Sequence, residues 1–116
     1  MIYSNQLPNL GNCSILLPDM RVIAKSTLEE FLEEHAEARE QINAWYDYVK
    51  HANWHAPADV QQGFGEDAVL ANNRAVFNIK GKKYRIVVHI HYTSQIVFIR
   101  FVGTHAEYNK IDATTI

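Results

Sequence analysis

The stretch "FNIKGKKYRIVVHIHY", Phe77 to Tyr92, decides the reading of the fold. After Lys80-Gly81 its apolar residues fall on alternate positions, the period by which a half-buried strand shows one side chain to a core and the next to water. Before that pair the chain reads the same way, and Lys-Gly is short enough for a tight hairpin. The composition is unusual for a plain hairpin: four cations and two histidines in sixteen residues, without one carboxylate. A core does not need that charge, so one face of the hairpin is expected to hold a negative object.

Working outward, "RAVFNI" and "QIVFIRFV" flank the middle strand "KYRIVVHIHY", the second across a Thr93-Ser94 turn, and predict a three-stranded antiparallel meander. Tyr84, Ile86, Val88, Ile90 and Tyr92 form its apolar set; Lys83, Arg85, Val87, His89 and His91 face the other way. With two-residue turns, Val87 opposes Arg100, Val88 opposes Ile99, Asn78 opposes Lys83 and Val76 opposes Arg85. Arg74, Asn78 and Arg100 then join the basic face. A one-residue bulge would turn a strand's side chains over, so this register is a hypothesis.

Upstream the period is helical. Leu28, Phe31, Leu32, His35, Ala38, Ile42, Trp45, Tyr46 and Val49 line one face through about residue 50, and the pattern allows a break near 36–39. Ser26 and Glu29 have the spacing of a capping box at its start. The opposite face, from Glu29 to Glu40, is acidic and reads as solvated. "HAPADVQQGF" allows a second short helix with Pro57 in its first turn, residues 65–73 read as loop, and Val22-Ile23 is a short strand candidate. Helices first and sheet second make an α+β domain, with N-terminal helices packed on one face of a small antiparallel sheet. Residues 1–19, with two prolines, a glycine and three asparagines, read as an irregular arm, and residues 20–116 as one domain.

Composition narrows the class. The single cysteine, Cys13, cannot form an internal disulfide, which fits a reducing, cytoplasmic compartment. No apolar run approaches a membrane span, and "SILLP" is too short for a secretory leader. The net charge of −2 hides a division: residues 1–73 carry four cations and eleven acids, residues 74–116 seven cations and two acids. Either the halves neutralise each other or the second presents a surface to a polyanion. Several spaced cations favour an extended polyanion, and no phosphate-binding glycine loop or nucleotide fingerprint is present.

Cleaving RNA internally needs a base for the 2′-OH, cations for the crowded phosphate and an acid for the departing 5′-oxygen. His105, in "GTHAEYNKI" just past the last strand, can move protons near neutral pH; Arg85 and Arg100 can hold a phosphate; Tyr108 and the lysines can assist. The competing reading of His105 is a histidine that merely packs the strand end. His51/His55 and His89/His91 have metal-ligand spacing but no nearby third ligand, so no metal is expected. Trp45, Tyr46 and Trp54 can stack on bases, yet at helical spacing they read first as core.

The blocks "MRVIAKSTLEEF", "WYDYVKHANWHAPADV", "VFNIKGKKYRIVVHI" and "QIVFIRFVGTHAEYNKI", in this order, resemble the HigB-type toxins of bacterial type II toxin–antitoxin pairs, from Met20 to about Ile111. The resemblance implies a RelE-like fold and a toxin that cuts mRNA, typically in the ribosomal A site, without a metal or other cofactor. It also implies a cognate HigA-type antitoxin protein and no membrane association. Residue by residue it highlights Asn78, Gly81, Lys83, Tyr84, Arg85, Arg100, Thr104, His105, Glu107 and Tyr108. In these terms Arg85, Arg100, His105 and Tyr108 are catalytic, while Arg74, Asn78, Lys80, Lys82, Lys83 and Lys110 bind RNA. Lys82 stands where the family's hairpin often has asparagine, and the arm before Met20 has no counterpart. Two other readings are a basic-faced RNA- or ribosome-binding inhibitor that does not cleave, and an interaction domain working through its acidic helix.

Overall fold

The computed structural model describes residues 20–116; the arm of residues 1–19, with Cys13, lies outside the described residues. Strand β1 (Arg21–Ile23) leads into α1 (Lys25–Glu34), a 3-10 turn (Ala36–Ala38), α2 (Arg39–Lys50) and α3 (Pro57–Phe64). A second 3-10 turn (Glu66–Ala68) precedes β2 (Arg74–Ile79), β3 (Tyr84–His91), β4 (Ile96–Thr104) and the four-residue α4 (His105–Tyr108). The strands lie in the order β1-β4-β3-β2, with the meander antiparallel and β1 added parallel to β4. The sheet is therefore mixed: the Val22-Ile23 candidate is its fourth strand, and the α+β arrangement stands.

The apolar stripes of the helices meet the apolar set of the sheet. Leu28 and Leu32 of α1, Ile42, Trp45 and Val49 of α2, and Val60 of α3 are buried in one cluster with Phe77, Ile86, Val88, Ile90, Val97 and Ile99. Trp45 and Trp54 are buried and Tyr46 packs against the cluster, so the packing reading of these aromatics holds. The long helical stripe does break where allowed, at Ala36–Ala38. The expected capping box does not form. Helix α1 starts one residue before Ser26, with Ala24 at the N-cap and no side-chain cap, because β1 runs directly into it. Glu29 instead pairs with Arg39 at 3.3 Å, an exposed contact of small energetic weight.

Both hairpins depart from the expected register, with different consequences. The β2–β3 connection is four residues, Lys80 to Lys83, closed by the Lys83 N–H donating to the Lys80 carbonyl at 3.2 Å. Lys80 and Gly81 both adopt positive φ, 55° and 69°, where glycine is unstrained. Asn78 thus opposes Arg85, and Val76 opposes Val87. The slip is two residues, an even number, so the side chains within β2 and β3 keep their faces. Between β3 and β4 the expected register holds from His91↔Ile96 to Val88↔Ile99 and then jumps, so that Val87 opposes Phe101 and Arg85 opposes Gly103. Arg100 is the extra residue of a β-bulge, exposed on the outer face beside buried Ile99.

Candidate nucleic-acid interface

Helix α4 sets one end of the outer face. Thr104 caps it: its hydroxyl accepts from the Glu107 N–H at 3.1 Å, and the Glu107 carboxylate accepts from the Thr104 N–H at 2.8 Å. These bonds hold the Glu107 carboxyl below its ordinary pKa, the backbone contact most. The capped turn puts His105 and Tyr108 three apart, on neighbouring positions of the helix surface. The Arg85 guanidinium lies 4.7 Å from the centre of the Tyr108 ring, a cation–π contact. Among the described residues, Arg85 Nε is buried with no hydrogen-bond partner. His105 is exposed; its Nδ1 is 3.1 Å from the Asn109 side-chain nitrogen, and its backbone N–H donates to the Lys83 carbonyl at 3.2 Å. When Nδ1 accepts from Asn109, Nε2 carries the ring proton. The fold thus gathers Arg85, His105 and Tyr108 at one corner.

Gly103 is needed there. A Cβ at this position would lie 2.7 Å from Glu107 Oε1 and 2.7 Å from the tip of the Phe101 ring. Gly103→Ala is expected to cost about 1–3 kcal/mol in urea unfolding, the range for overpacking, because the cap or the ring must yield.

Arg100 belongs to a second cluster. The bulge carries it three residues along β4 from Gly103, the partner of Arg85, instead of the two expected from a regular ladder. There it joins Arg74 and His91 as the charged or titratable groups around His89. The two imidazoles meet at 4.6 Å, and Arg74 is the cross-strand partner of His89. Arg74 is anchored, with Nε and Nη2 donating to the backbone oxygen of Ile116 and Nη1 to the carbonyl of Asn72. Burial, then the charges of Arg74, His91 and Arg100, push the His89 pKa below 6.5. A histidine kept neutral by the fold gains its proton on unfolding, so stability is lost as pH falls from 6.5 toward the lower folded value. The unfolding midpoint is expected to drop between pH 7.5 and 5.5, and His89→Gln is expected to flatten that slope.

The lysines divide. Lys83, expected on the outer face, turns instead toward the helices: its Nζ is 3.6 Å from Glu37 Oε2, and Tyr84 donates its hydroxyl to the same carboxylate. Its place in the four-residue turn, beyond the end of β3, releases it from the strand's alternation. Lys82 remains beside Asn78 and Arg85, Lys80 lines a cleft against α2 and α3, and Lys110 is exposed past α4. Two acids at these sites were not singled out by the sequence: Glu37 reads there as part of a solvated acidic face, and Asp67 as an ordinary loop residue. Only the tertiary fold brings Asp67 to Lys82 and Arg85. Among the described residues no three His, Cys, Asp or Glu side chains gather where they could hold a metal ion, and no helix is long and apolar enough to cross a membrane.

No curated protein matches the chain. The family model of the HigB toxin, described as the RelE-like toxic component of a toxin–antitoxin system, matches residues 38–111. That span runs from the end of the first 3-10 turn through α4 and contains every residue of the two clusters except Ile116. The match covers more than half of the sequence, and the chain belongs to the HigB toxin family.

Proposed function

We propose that this toxin is an endoribonuclease that cleaves mRNA on the ribosome, using its own side chains and no metal. The observation that carries the reading is the corner of the basic face where Arg85, its Nε unpartnered, lies on Tyr108 beside His105. A guanidinium fixed by an aromatic ring suits a phosphodiester, which it can grip with two N–H donors. In the reaction the 2′-oxygen attacks the adjacent phosphorus while its proton is relayed to water through the Tyr108 hydroxyl. Negative charge growing on the phosphoryl oxygens is met by Arg85, with Arg100 and Lys82 holding the flanking strand. The P–O5′ bond breaks as His105, in its imidazolium form, gives its Nε2 proton to the departing oxygen and is left neutral, with a 2′,3′-cyclic phosphate and a 5′-hydroxyl as products.

The family gives the protein an antitoxin partner. A HigA-type antitoxin silences it by covering the basic face or barring entry to the A site, and the toxin works in the cytoplasm, where its substrate is translated. Primer-extension mapping of transcripts after brief induction tests this. Cuts inside translated frames that vanish in His105→Ala support the proposal. Growth arrest with no cuts sinks the nuclease and leaves an RNA- or ribosome-binding inhibitor.

A further inference from the structure

At the β2 edge of the outer face lies a pocket of about 370 Å³, in the range of small-ligand sites. Val76 and Phe64 supply apolar wall; Asp67, Asn78, Lys82 and Arg85 supply the polar groups. Asn78 and Arg85 are cross-strand partners, and the 3-10 turn that carries Asp67 runs on into a bridge between Val69 and Ala75 of β2. Arg85 is shared, since it reaches both this pocket and the Tyr108 corner.

Phosphate binding does not account for Asp67. A carboxylate among cations repels a phosphate, and it can only accept hydrogen bonds. The pocket instead suits a flat, partly apolar group that carries N–H donors on one edge and acceptors on another. A splayed nucleobase is such a group, and single-stranded RNA is read in this way, by contact with the ring face and hydrogen bonds to its edges.

We propose that this pocket takes a base with an exocyclic amine (adenine, cytosine or guanine) next to the phosphate held by Arg85, and that Asp67 rejects uracil. The amine donates to the Asp67 carboxylate, while Asn78 and Lys82 donate to ring nitrogens or a carbonyl. Uracil has no amine and sets carbonyl oxygens on both sides of its single ring N–H, so at least one of them would face the carboxylate. The inference rests on the reading that the outer face holds RNA.

The test uses anisotropy of labelled 2′-O-methyl hexanucleotides, which lack the attacking hydroxyl and cannot be cut. The wild type is expected to bind the adenine and cytosine oligomers about tenfold more tightly than the uracil oligomer, the scale of one hydrogen bond to a charged group. Asp67→Asn, whose amide can also donate, is expected to bring the three affinities together with the salt dependence unchanged. Equal affinities in the wild type, or a preference that survives in Asp67→Asn, overturn the base pocket while leaving RNA binding in place. No binding of any oligomer at low salt overturns RNA binding and the pocket together. Base-selective binding by a protein that makes no cuts in cellular transcripts supports the pocket and removes only the nuclease.

Discussion

Arg85→Ala is expected to lower transcript cleavage about a hundred- to a thousandfold, the usual effect of removing one preorganised donor to developing negative charge. The size of the effect follows from position. Arg85 sits in the middle of the sheet's width, on β3 opposite Gly103, and Tyr108 fixes its guanidinium. The other cations are placed or built differently: Lys83 is paired with Glu37, Arg74 with Ile116 and Asn72, Arg100 stands three residues away along β4, and Lys82, beside Arg85, offers an ammonium without the planar fork. Arg85→Lys is expected to recover little, because an ammonium lacks both the planar fork and the stacking surface. Quantified primer extension, with circular dichroism to confirm that each variant folds, reads the effect. Cleavage within threefold of wild type in a folded Arg85→Ala protein would dismiss this residue from the reaction.

Phe77→Ala is expected to destabilise the protein by about 3–5 kcal/mol, the range for removing a buried aromatic ring. Phe77 is 2% exposed and lies at the centre of an aromatic group. Its ring centre is 5.4 Å from that of Trp45, 6.1 Å from Trp54 in a stacked pair, and 4.6 Å from Phe64. The indoles, Trp45 on α2 and Trp54 in the segment between α2 and α3, are buried and too large to collapse into the gap. Domains of this size are stable by about 5–15 kcal/mol, so much of the total is at stake. Urea unfolding measures it, and a loss below 1 kcal/mol would show that the ring is not the keystone its neighbours suggest. Because Val76 and Asn78 flank Phe77 and face the other way, the same change is expected to weaken RNA binding.

The sequence was informative wherever a pattern tolerates local error. Alternation through β2 and β3 assigned the outer face correctly although the connecting turn is twice the expected length, because a slip of two residues preserves parity. Helical periodicity likewise survived the break at Ala36–Ala38. What failed were features set by single residues or by distant partners. Nothing in "IVFIRFV" marks Arg100 as a bulge, since no glycine or proline stands there. The spacing of a capping box occurs at both Ser26 and Thr104, yet only Thr104 begins a helix where the box can close. Lys83 looked like a strand residue because the turn's length depends on pairing that no local pattern reveals. Asp67 was invisible for a related reason: an acid in a loop acquires meaning only when the fold sets it against a basic strand.

The parallel pairing of β1 has a consequence in time. Arg21 is opposite Ile96, 75 residues further along the chain. At synthesis rates of about 5–20 residues per second, several seconds separate the emergence of these partners. Throughout that interval β1 lacks its strand partner, and the strands that bear the basic clusters, all beyond residue 73, are still incomplete. The proposed RNA face of the toxin is therefore among the last parts of the molecule to exist. A ribosome that abandons the message before β4 releases a fragment without Arg100, His105 or Tyr108, so an interrupted translation yields a chain that lacks the proposed cutting groups.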